Sequence, residues 1–196
     1  MQFDVILVGA GIGGLTAALA LQQQGLRVAL CEQANEPFVG GAGLVIGASG
    51  ARVLGQLGLG AALDDLAVRP AHIAIRHFQT GRLLAETPTS AGDGCRIGRA
   101  DLQRALIAAI HSNDRDCLRT GHTLADIGQD GSGLSALFGD RQMLRGSLLV
   151  ACDGQRSAVR TRLFGDEQPR FTGYQVWQGL VPMSHLTAAA PTLGDA

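Results

Sequence analysis

Three glycines near the start of the chain, Gly9, Gly11 and Gly14 in the run VGAGIGGLTAA, stand at the spacing G-x-G-x-x-G, with Ala10 and Gly13 between them. Glycines so spaced suit a diphosphate: the first permits a tight turn, the second lets the anion approach the backbone, and the third lets a helix pack closely on a strand. A helix opened by such a turn offers free N–H groups and a positive dipole end to the anion. Downstream stands Glu32, a carboxylate that can accept hydrogen bonds from a ribose diol. It would also repel a 2′-phosphate, which disfavours NADP here and leaves FAD and NAD. A second arrangement, LLVACDGQRSAVR, brings Asp153 and Gly154 to the end of an apolar run. There they supply a carboxylate acceptor and a close backbone approach, although an Asp-Gly turn ahead of a Ser157 helix cap fits the same letters.

These groups work only if regular elements hold them. Residues 3–8 form a nearly continuous apolar run, as expected of a strand buried on both faces of a parallel sheet. Leu15, Ala18, Leu19 and Leu21 recur at helical spacing over 13–24, Gly25 is placed to end that helix, and 27–31 supplies a second strand. The order strand, glycine turn, helix, strand is a βαβ unit, whose ligand edge is the carboxyl end of the strands. Further on we expect a loop leading into a strand within 37–50 and a short helix over 51–57 ending at Gly58. A hairpin is expected from 72–78 and 82–86, and a helix over 102–110 behind Arg99. Two strands are expected within 124–145 around a turn at 129–133, then a buried strand at 148–151, a helix over 157–163 and an extended run at 174–181.

Composition narrows the partners. Sixteen Lys+Arg against seventeen Asp+Glu leave no basic excess for nucleic acid or anionic lipid. No stretch approaches the ~18 apolar residues of a membrane span, and the N-terminus lacks the basic region of a signal peptide. Cys31, Cys95, Cys117 and Cys152 include no C-x-x-C pair, so neither zinc nor a disulfide framework is expected, and a reducing, cytoplasmic setting fits. The five histidines, His72, His77, His111, His122 and His185, show no spacing that pairs them as ligands or as base and nucleophile, and none is given a role. No G-x-S-x-G appears, which disfavours hydrolysis.

Taken in order, VGAGIGGLTAA with Glu32, the segment Arg99-Ala100-Asp101-Leu102, LLVACDGQRSAVR and the later YQVWQGLV resemble the class A FAD-dependent monooxygenases, the aromatic hydroxylases related to p-hydroxybenzoate and salicylate hydroxylases. The resemblance implies an α/β fold. Its parts would be a Rossmann-like, three-layer FAD/NAD(P)-binding domain with a β-meander, at 1–70 and 95–168, and the start of a mixed-sheet substrate domain at 71–94 and 169–196. It implies FAD as cofactor, NADH or NADPH as co-substrate, and hydroxylation of a small aromatic molecule with O2. By the same likeness Gly9, Ala10, Gly11, Gly13, Gly14 and Glu32 hold the ADP half of FAD, and Arg99 reaches the ribityl and phosphate portion. Asp153 and Gly154 belong to a motif implicated in both FAD and NAD(P)H binding, and Arg160 fixes that motif locally. No acid or base is assigned, because the cofactor carries the hard chemistry.

The family's third signature, a Gly-Asp pair in a GDAAH-like string, lies more than a hundred residues beyond the Asp-Gly segment. The terminal Leu193-Gly194-Asp195-Ala196 follows Asp153 by only 42 positions and is read as coincidence. The expectation is an N-terminal portion of a longer enzyme, poorly soluble or partner-dependent when alone. Two rival readings are a truncated, non-catalytic module that binds FAD or ADP, and an NAD-linked dehydrogenase in which the Asp-Gly segment is fortuitous.

Overall fold

The computed structural model describes residues 2–37, 41–90, 94–131, 133–139 and 141–178. The chain runs through strand β1 (Gln2–Val8), helix α1 (Ile12–Gln23), β2 (Val28–Cys31), β3 (Gly43–Ile46), α2 (Ala48–Leu54) and, after one wide turn, α3 (Gly60–Leu66). It continues through β4 (His72–Arg76), β5 (Leu83–Pro88), β6 (Cys95–Gly98), α4 (Arg99–Asn113) and β7 (Leu118–Arg119). A meander of β8 (Leu124–Asp130), β9 (Gly133–Phe138) and β10 (Met143–Ala151) precedes α5 (Ala158–Phe164). Two compact units result: Met1–Gly40 with Leu102–Gln175, and Gly41–Asp101 with Val176–Ala196.

The first unit is built on a six-stranded sheet in the order β7-β2-β1-β10-β9-β8. Neighbours from β7 through β10 are parallel, while β9 and β8 continue it antiparallel. The short β2 is buried at every position, and β1 from Val5 to Val8, because strands in the middle of such a sheet carry cover on both faces. In register, Val8 stands beside both Cys31 and Ala151, so all three chains leave the sheet at one edge. Helix α1 ends as its sequence dictates: Gly25 has φ +77°, and its N–H donates to Gln22 O at 2.9 Å. Helix α4 buries Leu102, Leu106 and Ile110 along one stripe.

The second unit holds two small antiparallel ladders, β3 with β6 and β4 with β5, and an isolated bridge between Val68 and Arg96. The β4–β5 hairpin has no buried position.

Three expectations need correction. The helix placed at 51–57 begins earlier, at Ala48, and Gly58 redirects the helical path instead of ending it. Gly58 takes a left-handed φ of 87°, after which α3 resumes, with Leu54, Leu57, Leu59 and Leu63 buried. The strand expected at 148–151 is the end of one nine-residue strand, β10, which pairs with β9 through Met143–Gly146 and with β1 from Arg145 onward. It is not a fully buried strand, since Leu148 is exposed. In the extended run expected at 174–181, residues 174–178 form no strand, and the remainder, like the terminal Gly-Asp letters, lies outside the described residues.

Candidate dinucleotide-binding site

At the shared strand edge, β1 delivers the glycine turn, β2 delivers Glu32, and β10 delivers Cys152, Asp153 and Gly154. Together with 122–124 they line a cleft of about 440 Å³, within the usual size of a small-molecule site.

The glycines divide their labour physically. Gly9 has φ +101°, and a Cβ there would stand 2.5 Å from Cys152 O, so the turn and the Asp-Gly segment touch backbone to backbone. A Cβ on Gly14 would lie 1.9 Å from Gly9 O and 3.2 Å from Cys152 Cβ, which is the close packing of helix on strand that the motif demands. A Cβ on Gly11 would meet nothing within 4 Å. Gly11 lines the cleft and caps α1 with extended backbone and no side-chain cap, so the space above the helix's leading end is left for a ligand. Gly13 likewise has open space about it.

Glu32 is held from two sides. Its Oε2 accepts the Ala10 N–H at 2.8 Å and its Oε1 accepts the Ala34 N–H at 3.0 Å. Each carboxylate oxygen keeps a further lone pair for an incoming hydroxyl, and the two N–H bonds fix the rotamer beforehand. Ala10 therefore acts on the acid: its N–H serves Glu32, while its carbonyl accepts from the buried Gln103 side chain at 3.4 Å.

Asp153 is similarly half committed. Its Oδ2 accepts the Val159 N–H at 3.1 Å in the first turn of α5, whereas its Oδ1 is buried without a hydrogen-bond partner among the described residues. A buried carboxylate oxygen left unpaired is costly, and Asp153 is one of the residues that line the cleft. Ser157 caps α5 by accepting the Arg160 N–H at 2.9 Å, and the Arg160 guanidinium donates to Gln155 O at 2.7 Å, so Arg160 braces the segment locally. The Cys152 thiol is pushed up by burial and then by the neighbouring Asp153 carboxylate, which keeps it neutral in the cleft.

The structure thus brings together Gly9, Gly11, Glu32, Asp153 and Gly154, from three different strands, around one cleft. Arg99 belongs to the second unit, where it opens α4, donates its N–H to Ala42 O at 3.3 Å and sets its side chain over Gly41. Sequence reasoning missed His122, Thr123, Gln33 and Arg156 as cleft residues. His122 comes to Glu32 through the backbone, its N–H donating to Glu32 O at 2.8 Å beyond the β7–β2 pairing.

These residues fit a dinucleotide such as FAD: an uncapped helix end with room above it, a preset acid for a ribose diol, and an unsatisfied buried acceptor beside them. Among the described residues no group of three His, Cys, Asp or Glu side chains could hold a metal ion, and no helix is long and apolar enough to cross a membrane.

Comparison with known proteins agrees with this geometry. The chain is 32% identical over 190 residues to the FAD-dependent urate hydroxylase of Klebsiella pneumoniae, covering 93% of this chain and 49% of that protein. It is 33% identical over 189 residues to the 3-amino-4-hydroxybenzoate 2-monooxygenase of Streptomyces cremeus, covering 92% and 46%. The chain spans about half the length of the curated relatives it matches. Among solved structures it resembles Klebsiella pneumoniae HpxO complexed with FAD and uric acid, with TM-score 0.70 and 28% identity over 81% of this chain and 41% of that one. It also resembles Pseudomonas aeruginosa PqsL in complex with 2-aminobenzoylacetate, with TM-score 0.74 and 28% identity over 87% and 48%. The family described as FAD binding domain matches residues 2–182, and with a Rossmann-like sheet carrying its glycine turn and acid at one edge, the chain belongs to that family.

Proposed function

We propose that the protein to which this chain belongs is an FAD-dependent monooxygenase that hydroxylates a small aromatic molecule, taking electrons from NADH or NADPH and oxygen from O2. The observation that carries the reading is the convergence of Glu32 and Asp153 on one cleft with the open helix end at Gly11. Bound FAD supplies the redox chemistry, passing electrons from the nicotinamide to dioxygen, one atom of which enters the product while the other leaves as water. The chain's own part is to bind and orient. The α1 amides face the pyrophosphate, Glu32 takes the adenosine ribose, and Asp153 with Gly154 receives a hydroxyl or amide of FAD or of the nicotinamide dinucleotide. Arg99 is assigned to the ribityl and phosphate side, as a fork-shaped cation suited to bridging oxygens.

We assign 1–70 and 95–168 to the FAD-binding domain, and 71–94 with 169–196 to the start of a substrate domain. The absence of any buried position in β4 or β5 supports the second assignment, since a lone hairpin has no core of its own. None of the four cysteines is joined in a disulfide, three being buried and Cys152 half-buried, which supports a cytoplasmic location.

The test is made on the full-length protein. It is expected to purify yellow or take up added FAD, to oxidise NADH or NADPH faster when an aromatic substrate is present, and to place label from 18O2 in the product. A protein that ignores FAD, or whose NAD(P)H oxidation no aromatic compound stimulates, would overturn the proposal.

A further inference from the structure

The imidazole of His122 is clamped in its own plane. Its Nδ1 lies 2.8 Å from Thr120 O, a pure acceptor, so Nδ1 carries the proton; its Nε2, left as an acceptor, lies 3.2 Å from Gln142 Oε1 and is bonded when that amide turns its NH2 toward the ring. The ring meets the buried Phe138 edge-to-face, with centroids 5.2 Å apart at 71°. Its main chain is tied to Glu32, and the residue lines the cleft beside Glu32 and Gln33. With both nitrogens engaged, the ring has no hydrogen bond left to offer a ligand. What it can offer is a flat π surface, held still, on a residue that lines the same cleft as Glu32 and Gly11.

We propose that His122 is the stacking platform for the adenine ring of the bound dinucleotide. The inference rests on the FAD reading above and gives the base end of that site its partner. A ribose held by Glu32, with its diphosphate toward Gly11, points its base the other way, toward 122–124. A side chain locked by three contacts loses little freedom on receiving a ring, so stacking there is not offset by ordering. Base–aromatic stacking of this kind is sequence-tolerant and is felt strongly on removal of the ring.

The test measures binding to the full-length apoprotein of FAD, of ADP, and of ribose 5-diphosphate, which is ADP without its base. In His122→Gln the polar contacts are kept and the ring is lost. FAD and ADP are expected to bind about tenfold more weakly, while ribose 5-diphosphate binds as in the wild type. His122→Phe restores the π surface and is expected to bring ADP back to within about threefold of wild type. ADP affinity unchanged in His122→Gln would overturn the proposal, as would an equal loss for ribose 5-diphosphate or a Phe variant as weak as the Gln variant. Wild-type protein that binds neither FAD nor ADP would instead remove the function proposed above.

Discussion

Gly11 and Gly14 lack a side chain for opposite reasons, and the difference is measurable. Gly11→Ala adds a methyl to open space at a cap with φ −67°, so folding stability should stay within about 1 kcal/mol of wild type. The methyl occupies the room above the helix end, and loss of one charge-assisted hydrogen bond to phosphate should weaken FAD about tenfold or more. Gly14→Ala forces a carbon to 1.9 Å from Gly9 O and should cost about 3 kcal/mol in urea unfolding, whatever the ligand. Equal unfolding midpoints for the two variants would contradict this division. A second residue sets a pH limit. Burial, and then the Asp114 carboxylate, push the Cys117 thiol from its ordinary 9.0 up to about 11. A raised thiol pKa means the unfolded chain loses this proton first. The stabilisation is therefore full below pH 9 and lost as pH rises toward 11. Unfolding midpoints should fall across that window, and Cys117→Ala should flatten the slope.

At the scale of elements, the legible part of the molecule was the part in which chemistry and geometry share a short stretch of chain. β1, α1, β2 and Glu32 occupy consecutive residues, and the Asp153-Gly154 pair announces itself between an apolar strand and a serine cap. His122 was illegible because its partners are distant: Glu32 is ninety residues away, and Gln142 lies on the far side of the β8–β9 hairpin. The unbroken length of β10 was hidden for a related reason. Its two halves answer to different neighbours, so alternation changes along the strand: Leu144 and Gly146 are buried while Leu148 is exposed. The kinked α2–α3 path was concealed by Gly58, which reads as a stop in isolation but is overruled by leucines buried on both sides of it. The contrast between elements also predicts their local stability. Amides of β4 and β5, with no buried position, should exchange with solvent orders of magnitude faster than those of β1 and β2, read by deuterium uptake and mass spectrometry. Equal protection would mean that the hairpin is covered by something else in the protein.

At the scale of the whole molecule, neither unit is a continuous length of chain: 1–40 joins 102–175, and 41–101 joins 176–196. The parallel pairing of β1 with β10 is the extreme case, since Gln2 finds its neighbour at Arg145. On the ribosome, where a chain grows at about 5–20 residues per second, the first strand must wait roughly 7–30 seconds for the strand that completes it. During that interval Val5, Ile6, Leu7 and Val8, all destined for the interior, have only β2, α1 and whatever the cell supplies to shelter them. The strand that founds the nucleotide site is thus among the first made, and one of its edges stays open until residues 145–151 have been synthesised.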